Sequence, residues 1–420
     1  MLLPPRPPTS PLQGKARVDI AIIGAGFTGV SAAMALAAKT PGVRIGLLEA
    51  QQVAEGSAGR NSGFVVDIGH FNGLLSVADN RTLTVLQRIG KRALHEWVAS
   101  YRIDCGWAAT GRIHAAASRR GEGILEQFRA RLDDMQEPYD VWDKTRIASV
   151  TGSEHYAAAI HTPGTCLVQP AALIRGLADA LPAGVRLFEN SAVQTIDSSA
   201  QGVTVTTANG ELTADRALIC VNGHLAAFDC GWPRLFPLQT FASLTVPVAT
   251  RYPSSPLLQR PPWGLISEDK MGATLRWTPD GRLLIRNSIV YAPNAQATPD
   301  ALETVFGRHR RSLAVRFPEI QDLPFEFSWG GTVGVTLNAV PQFSYLGERI
   351  LIAGGCNGVG IALGAALGVL AADQIAGRPS AELEALQSLP KPSPLPPRAI
   401  MRFGVPATLA WMQWRSGSDA

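Results

Sequence analysis

Three glycines spaced as Gly24-x-Gly26-x-x-Gly29, with Phe27 and Thr28 between them and an acid at Glu49, are the residues of this chain whose types and order point most directly to chemistry. The first glycine permits a sharp turn, the second lets main chain approach a pyrophosphate, and the third lets a helix pack closely on a strand. A helix starting after Gly26 offers unpaired N–H groups and a positive dipole end to phosphate oxygens. Glu49, with Ala50 after it, lies twenty residues beyond Gly29, where a carboxylate accepts hydrogen bonds from ribose hydroxyls and repels a 2′-phosphate. The pattern predicts an adenine dinucleotide of the FAD or NAD type and not NADP.

Those residues need particular elements to hold them. Val18 to Ile23 is β-branched and apolar enough for a buried strand, an alanine-rich helix follows the glycines, and Arg44 to Leu48 reads as the next strand. Leu83 to Tyr101 and Gly121 to Met135 have helical periodicity, while Cys105 to Ala116 reads as a turn and then a strand. A helix with Pro170 in its first turn leads to a strand at Val185 to Glu189. Val193 to Ile196, Val203 to Thr207 and Glu211 to Ala214 form a small antiparallel meander turning at Asn209-Gly210. Ala217 to Val221 returns as a buried strand ending at Asn222-Gly223-His224, and Ile350 to Gly354 runs into a second glycine turn and the helix Ile361 to Ala376. Between these, Phe236 to Phe327 alternates as strands before and around a charged helix near Ala301 to Arg316.

The resulting fold class is α/β: a discontinuous Rossmann-like domain, with a central parallel sheet and a small antiparallel meander, carrying an inserted α+β domain on a mixed or antiparallel sheet. Dinucleotide-domain segments are expected over 17–80, 166–235 and 331–385, and a substrate domain over 81–165 and 236–330. Residues 386–420 read as a proline-rich spacer and an amphipathic tail, and residues 1–16 as a flexible proline-rich lead.

Composition narrows the function. With 46% hydrophobic residues, 17% charged residues and a net charge of +4, the chain has an ordinary soluble globular composition and no long basic run, which argues against nucleic-acid binding. Its five cysteines form no CxxC pair, which argues against a disulfide framework or a zinc site. No metal site is expected. The opening residues lack a secretory pattern and the longest apolar segment, Ile361 to Ala372, is too short to cross a bilayer, so a cytoplasmic location is expected.

Four blocks in order, the glycine fingerprint with Glu49, Gly56 to Phe64, Trp329-Gly-Gly-Thr332 with Val340-Pro341, and Ala353 to Gly360, give the chain its resemblance to the FAD-dependent D-amino-acid oxidase superfamily, which includes glycine oxidase, sarcosine oxidase and γ-glutamylputrescine oxidase branches. The resemblance implies FAD, with the pyrophosphate on Gly24 to Gly29 and the ribose on Glu49. It implies that Ser57, Arg60, Asn61, Ser62, Gly63 and Phe64 wrap the cofactor. Val193 would contact adenine through its backbone, Asn222 and Gly223 would lie at the cofactor, and Gly354, Gly355, Asn357, Gly358 and Val359 would face the flavin pyrimidine end. Arg60-Asn61 stands where one branch places a covalently linked His, so noncovalent FAD is expected.

The implied reaction is oxidation of the C–N bond of a primary or secondary amine or amino acid, the hydride passing to flavin N5 and the imine hydrolysing. Arg276, Arg282 and Arg286 are offered as a clamp for a substrate carboxylate; Arg276 matches an aromatic-Arg pattern of the putrescine oxidase branch, whereas Arg282, beside the Pro279-Asp280-Gly281 turn, reads rather as a solvated strand arginine. His70 is the second catalytic candidate, close after the flavin loop, and Trp329 is a wall. Sarcosine-type oxidases use a lysine above the flavin to activate oxygen, but Leu284 stands there and Lys270 lies on the preceding loop. The acceptor is therefore left between O2 and an electron carrier or quinone. A flavin-binding subunit of a multi-chain amine dehydrogenase is the alternative, with a flavin hydroxylase behind it. The tail, with Met, Phe, Leu, two Trp and basic residues, reads either as a membrane or partner contact or, favoured, as a segment packed across its own domain.

Overall fold

The computed structural model describes residues 3–69, 73–228, 234–294 and 299–419. The chain divides into two units, Met1–Gly106 with Val168–Pro237 and Val333–Leu395, and Trp107–Leu167 with Leu238–Thr332 and Pro396–Ala420.

The first unit is built on a six-stranded sheet ordered Gln342–Leu346, Ile350–Gly354, Arg216–Ile219, Ile20–Ile23, Ile45–Leu48, Val185–Phe188. All neighbours pair parallel except Gln342–Leu346, which runs antiparallel to Ile350–Gly354. Strands covered on both faces need apolar side chains throughout rather than alternation, and Ile20–Ile23, Ile45–Leu48 and Ile350–Gly354 are buried at every position. Helices Phe27–Lys39 and Gly360–Ala376 pack together, and Val77–Ser100 packs on Gly360–Ala376. Small residues set this closeness. A Cβ at Gly90 would lie 1.8 Å from the Ala362 carbonyl oxygen, so no side chain fits there. Helix Val77–Ser100 thus belongs with the first unit, where the sequence reading grouped residues from 81 onward with the second.

The small sheet holds Val193–Ser199, Gly202–Thr207 and Gly210–Ala214 as an antiparallel meander, and gains a fourth strand, Gly14–Arg17, parallel to Gly210–Ala214. The lead expected to be flexible is therefore fixed. Arg6 ion-pairs with Asp179 at 2.7 Å and Glu189 at 2.8 Å, the Thr9 N–H donates to Glu189 at 2.6 Å, and Leu12 is buried. The physical reason is the side chain of Glu189, wholly buried and 183 residues away from Arg6, which needs a cation and donors that the lead supplies.

The second unit is an eight-stranded sheet ordered Phe325–Val335, Phe236–Thr245, Leu283–Tyr291, Thr274–Trp277, Trp263–Ser267, Arg112–Ala116, Ala158–Thr162, Asp140–Asp143. Trp263–Ser267 and Arg112–Ala116 pair parallel, and the pairs on either side of them are antiparallel. One face carries the core: Ile113, Leu265, Leu275, Trp277, Leu283 and Ile285 pack with Ile147 of helix Lys144–Thr151 and with Leu313 of helix Pro299–Arg316. A smaller apolar cluster of Ala242, Leu244 and Leu284 packs with Phe327 and Trp329. Helix Arg398–Ser416 belongs to this unit and lies along Leu283–Tyr291.

Candidate functional site

In the first unit the turn after Ile20–Ile23 is held from beneath. The Cys220 thiol donates to the Ile23 carbonyl at 3.1 Å and the Gly24 carbonyl at 3.3 Å, and burial pushes its pKa far up, so it stays protonated. Gly24 has a φ of +102°, and a Cβ on it would touch the Cys220 carbonyl oxygen at 3.0 Å. Gly29 packs tighter still, since a Cβ there would lie 1.9 Å from the Gly24 oxygen. Gly26 differs: a Cβ would meet nothing closer than the Ala58 Cβ at 3.9 Å. Fold packing accounts for Gly24 and Gly29. It leaves Gly26 with space beside its backbone.

Glu49 closes the side of this turn. Its Oε2 accepts from the Ala25 N–H at 2.9 Å and its Oε1 from the Gln51 N–H at 3.1 Å, while burial raises its pKa above the ordinary carboxylate value. A carboxylate has about four acceptor positions, so these backbone donors leave capacity for a hydroxyl donor.

Five helices have side-chain caps, from Ser76, Ser118, Asp143, Gln169 and Ser380. Phe27–Lys39, entered from Gly26, and Gly360–Ala376, entered from Val359, have neither a side-chain cap nor an acid in the first turn; helix Arg398–Ser416 lacks both too, and what sets the first two apart is that their starts adjoin. The two starts are neighbours, because a Cβ on Gly364 would sit 3.1 Å from Thr28 Oγ1 and 3.5 Å from Phe27 Cβ. Two adjacent uncapped N-termini offer positive potential to an anionic ligand. With the open side of Gly26 and the acceptors of Glu49, they fit a dinucleotide such as FAD.

The second block, Gly56 to Phe64, is a loop whose shape Asn61 sets. Its Nδ2 donates to the Ala58 carbonyl at 2.7 Å and the Ser57 carbonyl at 3.3 Å, and its Oδ1 accepts from the Gly63 N–H at 2.9 Å. Arg60 is exposed, whereas Ser57, Ser62 and Phe64 are half-buried. Asn61 therefore shapes the loop with the polar atoms that the sequence assigned to a cofactor.

Asn222 and Asn357 behave alike. Asn222 Oδ1 accepts from the Gly355 N–H at 2.9 Å, and its Nδ2 donates to Cys356 Sγ at 3.3 Å. Asn357 Oδ1 accepts from the Thr336 N–H at 2.9 Å, and its Nδ2 donates to the Gly355 carbonyl at 2.6 Å. Both side chains staple the second glycine turn, and both residues have positive φ, +49° and +50°. Gly223 is buried, Gly354 has the Asn222 Cα 3.4 Å from its Cβ position, and Gly358 borders open space. Thr336 was missed in the sequence. Its only signal is its place four residues before Val340, whose carbonyl accepts its hydroxyl at 2.8 Å. Val193 opens the meander half-buried, and Ala50 is exposed after Glu49.

In the second unit, Arg276 lies opposite Leu284, and Arg286 lies opposite both Thr274 and Ala242, so all share one face with the Ala242, Leu244 and Leu284 cluster. Burial lowers the pKa of Arg276 to about 10 and also lowers that of Arg286. Arg286 donates to Thr274 Oγ1 at 3.4 Å and has no carboxylate partner among the described residues. Arg282 is excluded as a clamp: it is committed to Asp280 at 2.8 Å, to Glu326 and to the Thr245 carbonyl at 2.9 Å. The solvated strand arginine that its turn position suggests is instead buried. Trp329 packs on the Leu284 cluster, Lys270 is exposed in its turn, and His70 lies outside the described residues.

Among the described residues no group of His, Cys, Asp or Glu could hold a metal ion. The family model described as FAD dependent oxidoreductase, DAO, matches residues 19–374. The chain is similar to the probable oxidoreductase OrdL of Rhizobium meliloti (strain 1021), 29% identical over 407 residues, covering 93% of this chain and 90% of that protein. It is also similar to the γ-glutamylputrescine oxidoreductase of Escherichia coli (strain K12), 27% identical over 374 residues, covering 86% and 84%. Among solved structures, glycine oxidase from Geobacillus kaustophilus matches with a TM-score of 0.74 at 22% identity, covering 87% of this chain and 96% of that one. L-proline dehydrogenase from P. horikoshii matches with a TM-score of 0.69 at 16% identity, covering 88% and 95%. Sheet order, twin helix starts and the span of the family match lead to one conclusion: the chain belongs to the DAO family of FAD-dependent oxidoreductases.

Proposed function

We propose that the protein oxidises the C–N bond of a primary or secondary amine or amino acid, using noncovalently held FAD, and that it works in the cytoplasm. The observation that carries this reading is Arg286, a half-buried guanidinium whose pKa burial lowers and which has no carboxylate partner among the described residues, on the sheet face it shares with Arg276 and the apolar cluster around Leu284. A desolvated cation such as Arg286, without a carboxylate among the described residues, favours an anionic ligand, and a guanidinium pairs with a carboxylate in two parallel hydrogen bonds. Relatives named for γ-glutamylputrescine, glycine and L-proline support a nitrogen-bearing substrate.

When bound, FAD supplies the hydride acceptor. In the first unit the Gly24 to Gly29 turn and the start of Phe27–Lys39 would hold the pyrophosphate, Glu49 would accept from ribose hydroxyls, and the start of Gly360–Ala376 would offer its dipole to the pyrimidine end; in the second unit Arg276 and Arg286 would bind a substrate carboxylate. No side-chain base is required if the amine binds neutral, because its lone pair drives the hydride from carbon and water then hydrolyses the imine. The half-buried Cys356 thiol, its pKa raised by desolvation, supports noncovalent attachment.

A second reading concerns the acceptor. Leu284 is buried among Ala242, Leu244, Phe327 and Trp329, where sarcosine-type oxidases are expected to present a lysine, and this favours a carrier or quinone over O2. The test is a panel of amines and amino acids assayed for carbonyl product, with O2 and with a quinone as separate acceptors. Carbonyl and ammonia or amine release in equal amounts supports the reading, and a blank panel with both acceptors refutes it.

A further inference from the structure

Helix Arg398–Ser416 has two apolar stripes, and its own unit uses one. Met401 and Ser416 are buried, with Val405, Leu409 and Met412 half-buried along the same side. At helical spacing on the opposite side stand Ile400, 59% exposed, Phe403, 75%, Trp411, 53%, and Trp414, 79%. Two pairs of large apolar side chains, Ile400 with Phe403 and Trp411 with Trp414, left in water along one side of a helix mark a surface that something covers.

The helix is not a loose tail. Ser416 donates to Asp269, and buried Asp419 just beyond accepts from the Ala117 N–H at 2.7 Å and from the Ser118 hydroxyl. The Asp419 carbonyl accepts from the Ala273 N–H at 2.9 Å and from Arg316 at 3.3 Å. Its C-terminal end is thereby locked into the second unit, and the aromatic stripe is presented from a fixed platform.

Charge identifies the occupant. The helix has three arginines, Arg398, Arg402 and Arg415, and no acidic residue. The Arg415 guanidinium lies over the Trp411 ring, 4.6 Å from its centroid, so cation and aromatic reach the same surface together. A second copy of the helix would bring arginines against arginines with no acid to pair them. Anionic phosphate headgroups above an acyl boundary match both features, since Trp rings sit at the headgroup level and arginine stems lie along apolar surface while their heads reach phosphate. Among the described residues no single helix is long and apolar enough to cross a membrane. We infer that this face of the helix docks the protein on an anionic lipid surface, lying in the interface without spanning it.

The experiment uses the full chain loaded with FAD and follows sedimentation with vesicles of phosphatidylcholine, alone or mixed with phosphatidylglycerol, at low and high salt. Two double variants are compared, Phe403→Ser with Trp414→Ser and Arg402→Gln with Arg415→Gln, after checking that melting temperature and bound FAD are unchanged. Wild type should bind the mixed vesicles at least tenfold more tightly than phosphatidylcholine. The arginine variant should lose roughly 25-fold, at about fivefold per cation, and the aromatic variant at least tenfold. No binding to the anionic vesicles, or equal binding by wild type and both variants, overturns the inference. So does a concentration-dependent dimer in ultracentrifugation that the aromatic variant abolishes, because a second copy would then cover the face.

Discussion

Replacing Gly26 by alanine should remove the cofactor while leaving the fold, whereas replacing Gly29 by alanine should damage the fold itself. Gly26 has a φ of −80° and a ψ of −173°, an extended conformation open to alanine, and its added methyl would meet only the Ala58 Cβ at 3.9 Å. The apoprotein should lose about 1 kcal/mol or less, the cost of a poorer N-cap. The same methyl occupies the space where a pyrophosphate approaches main-chain N–H groups. Losing two such hydrogen bonds, at about 1.5–3 kcal/mol each, weakens FAD binding by roughly 150- to 20,000-fold.

At Gly29 the methyl starts 1.9 Å from the Gly24 oxygen and must reach at least 3.0 Å, a retreat of about 1.1 Å by difference. Helix Phe27–Lys39 has little room for it, because the Thr28 carbonyl oxygen already lies 2.3 Å from the Cβ position of Gly368. The cost should be about 3 kcal/mol or more. The assay is the melting temperature of each stripped variant beside its FAD content after reconstitution. A Gly26→Ala protein that binds FAD like wild type would refute the placement of the pyrophosphate.

Three further perturbations follow from particular contacts. Arg286→Gln and Arg276→Gln should each lower kcat/KM about 100-fold for amines carrying a carboxylate, by losing a charge-assisted pair worth about 3 kcal/mol, and should leave amines without a carboxylate little changed; Arg282→Gln, which breaks contacts to Asp280 and Glu326, should instead lower the melting temperature. His309 is buried, accepts or donates at 2.7 Å to Ser243 through Nδ1, and has its pKa pushed down to about 4 from an ordinary 6.5. Below 6.5 the unfolded chain takes up a proton that the folded one refuses until about 4, so stability should fall by about 3 kcal/mol across that window; melting between those pH values should show the slope, and His309→Asn should flatten it. Asp419→Ala should cost about 2–4 kcal/mol by removing acceptors from Ala117 and Ser118, read as a lower melting temperature and faster proteolysis within residues 389–397.

How far the sequence carries can be seen residue by residue. Wherever periodicity and a local turn signal coincide, the elements are legible: Pro170 opens helix Pro170–Asp179, the meander turns beside Asn209, and Gly377, with φ of +66°, ends helix Gly360–Ala376. The glycine fingerprint is legible for the same reason, since strand, turn, helix and acid lie within one short stretch. What was not legible depends on distant partners. Arg6 is ordered by Glu189, and Asn222 is spent on Gly355 and Cys356, more than 130 residues away. Glu326 and Arg282 are 44 residues apart, which is why the turn beside that arginine suggests a solvated side chain and not a buried, paired one. Nor could composition show that helix Arg398–Ser416 both packs on its own unit and leaves an aromatic stripe in water. Each of its faces taken alone would suit one of the two readings of the tail.

Anaerobic titration of the FAD-loaded protein with amino acids and amines, followed through the visible flavin absorbance, tests the central claim most directly. The prediction is that at least one amine bearing a carboxylate bleaches the flavin without any nicotinamide cofactor, yielding one carbonyl product per FAD reduced. It further predicts that Arg286→Gln needs far more of that substrate for the same bleaching. A flavin that stays oxidised across the amine panel but bleaches at once with NADH or NADPH would contradict it.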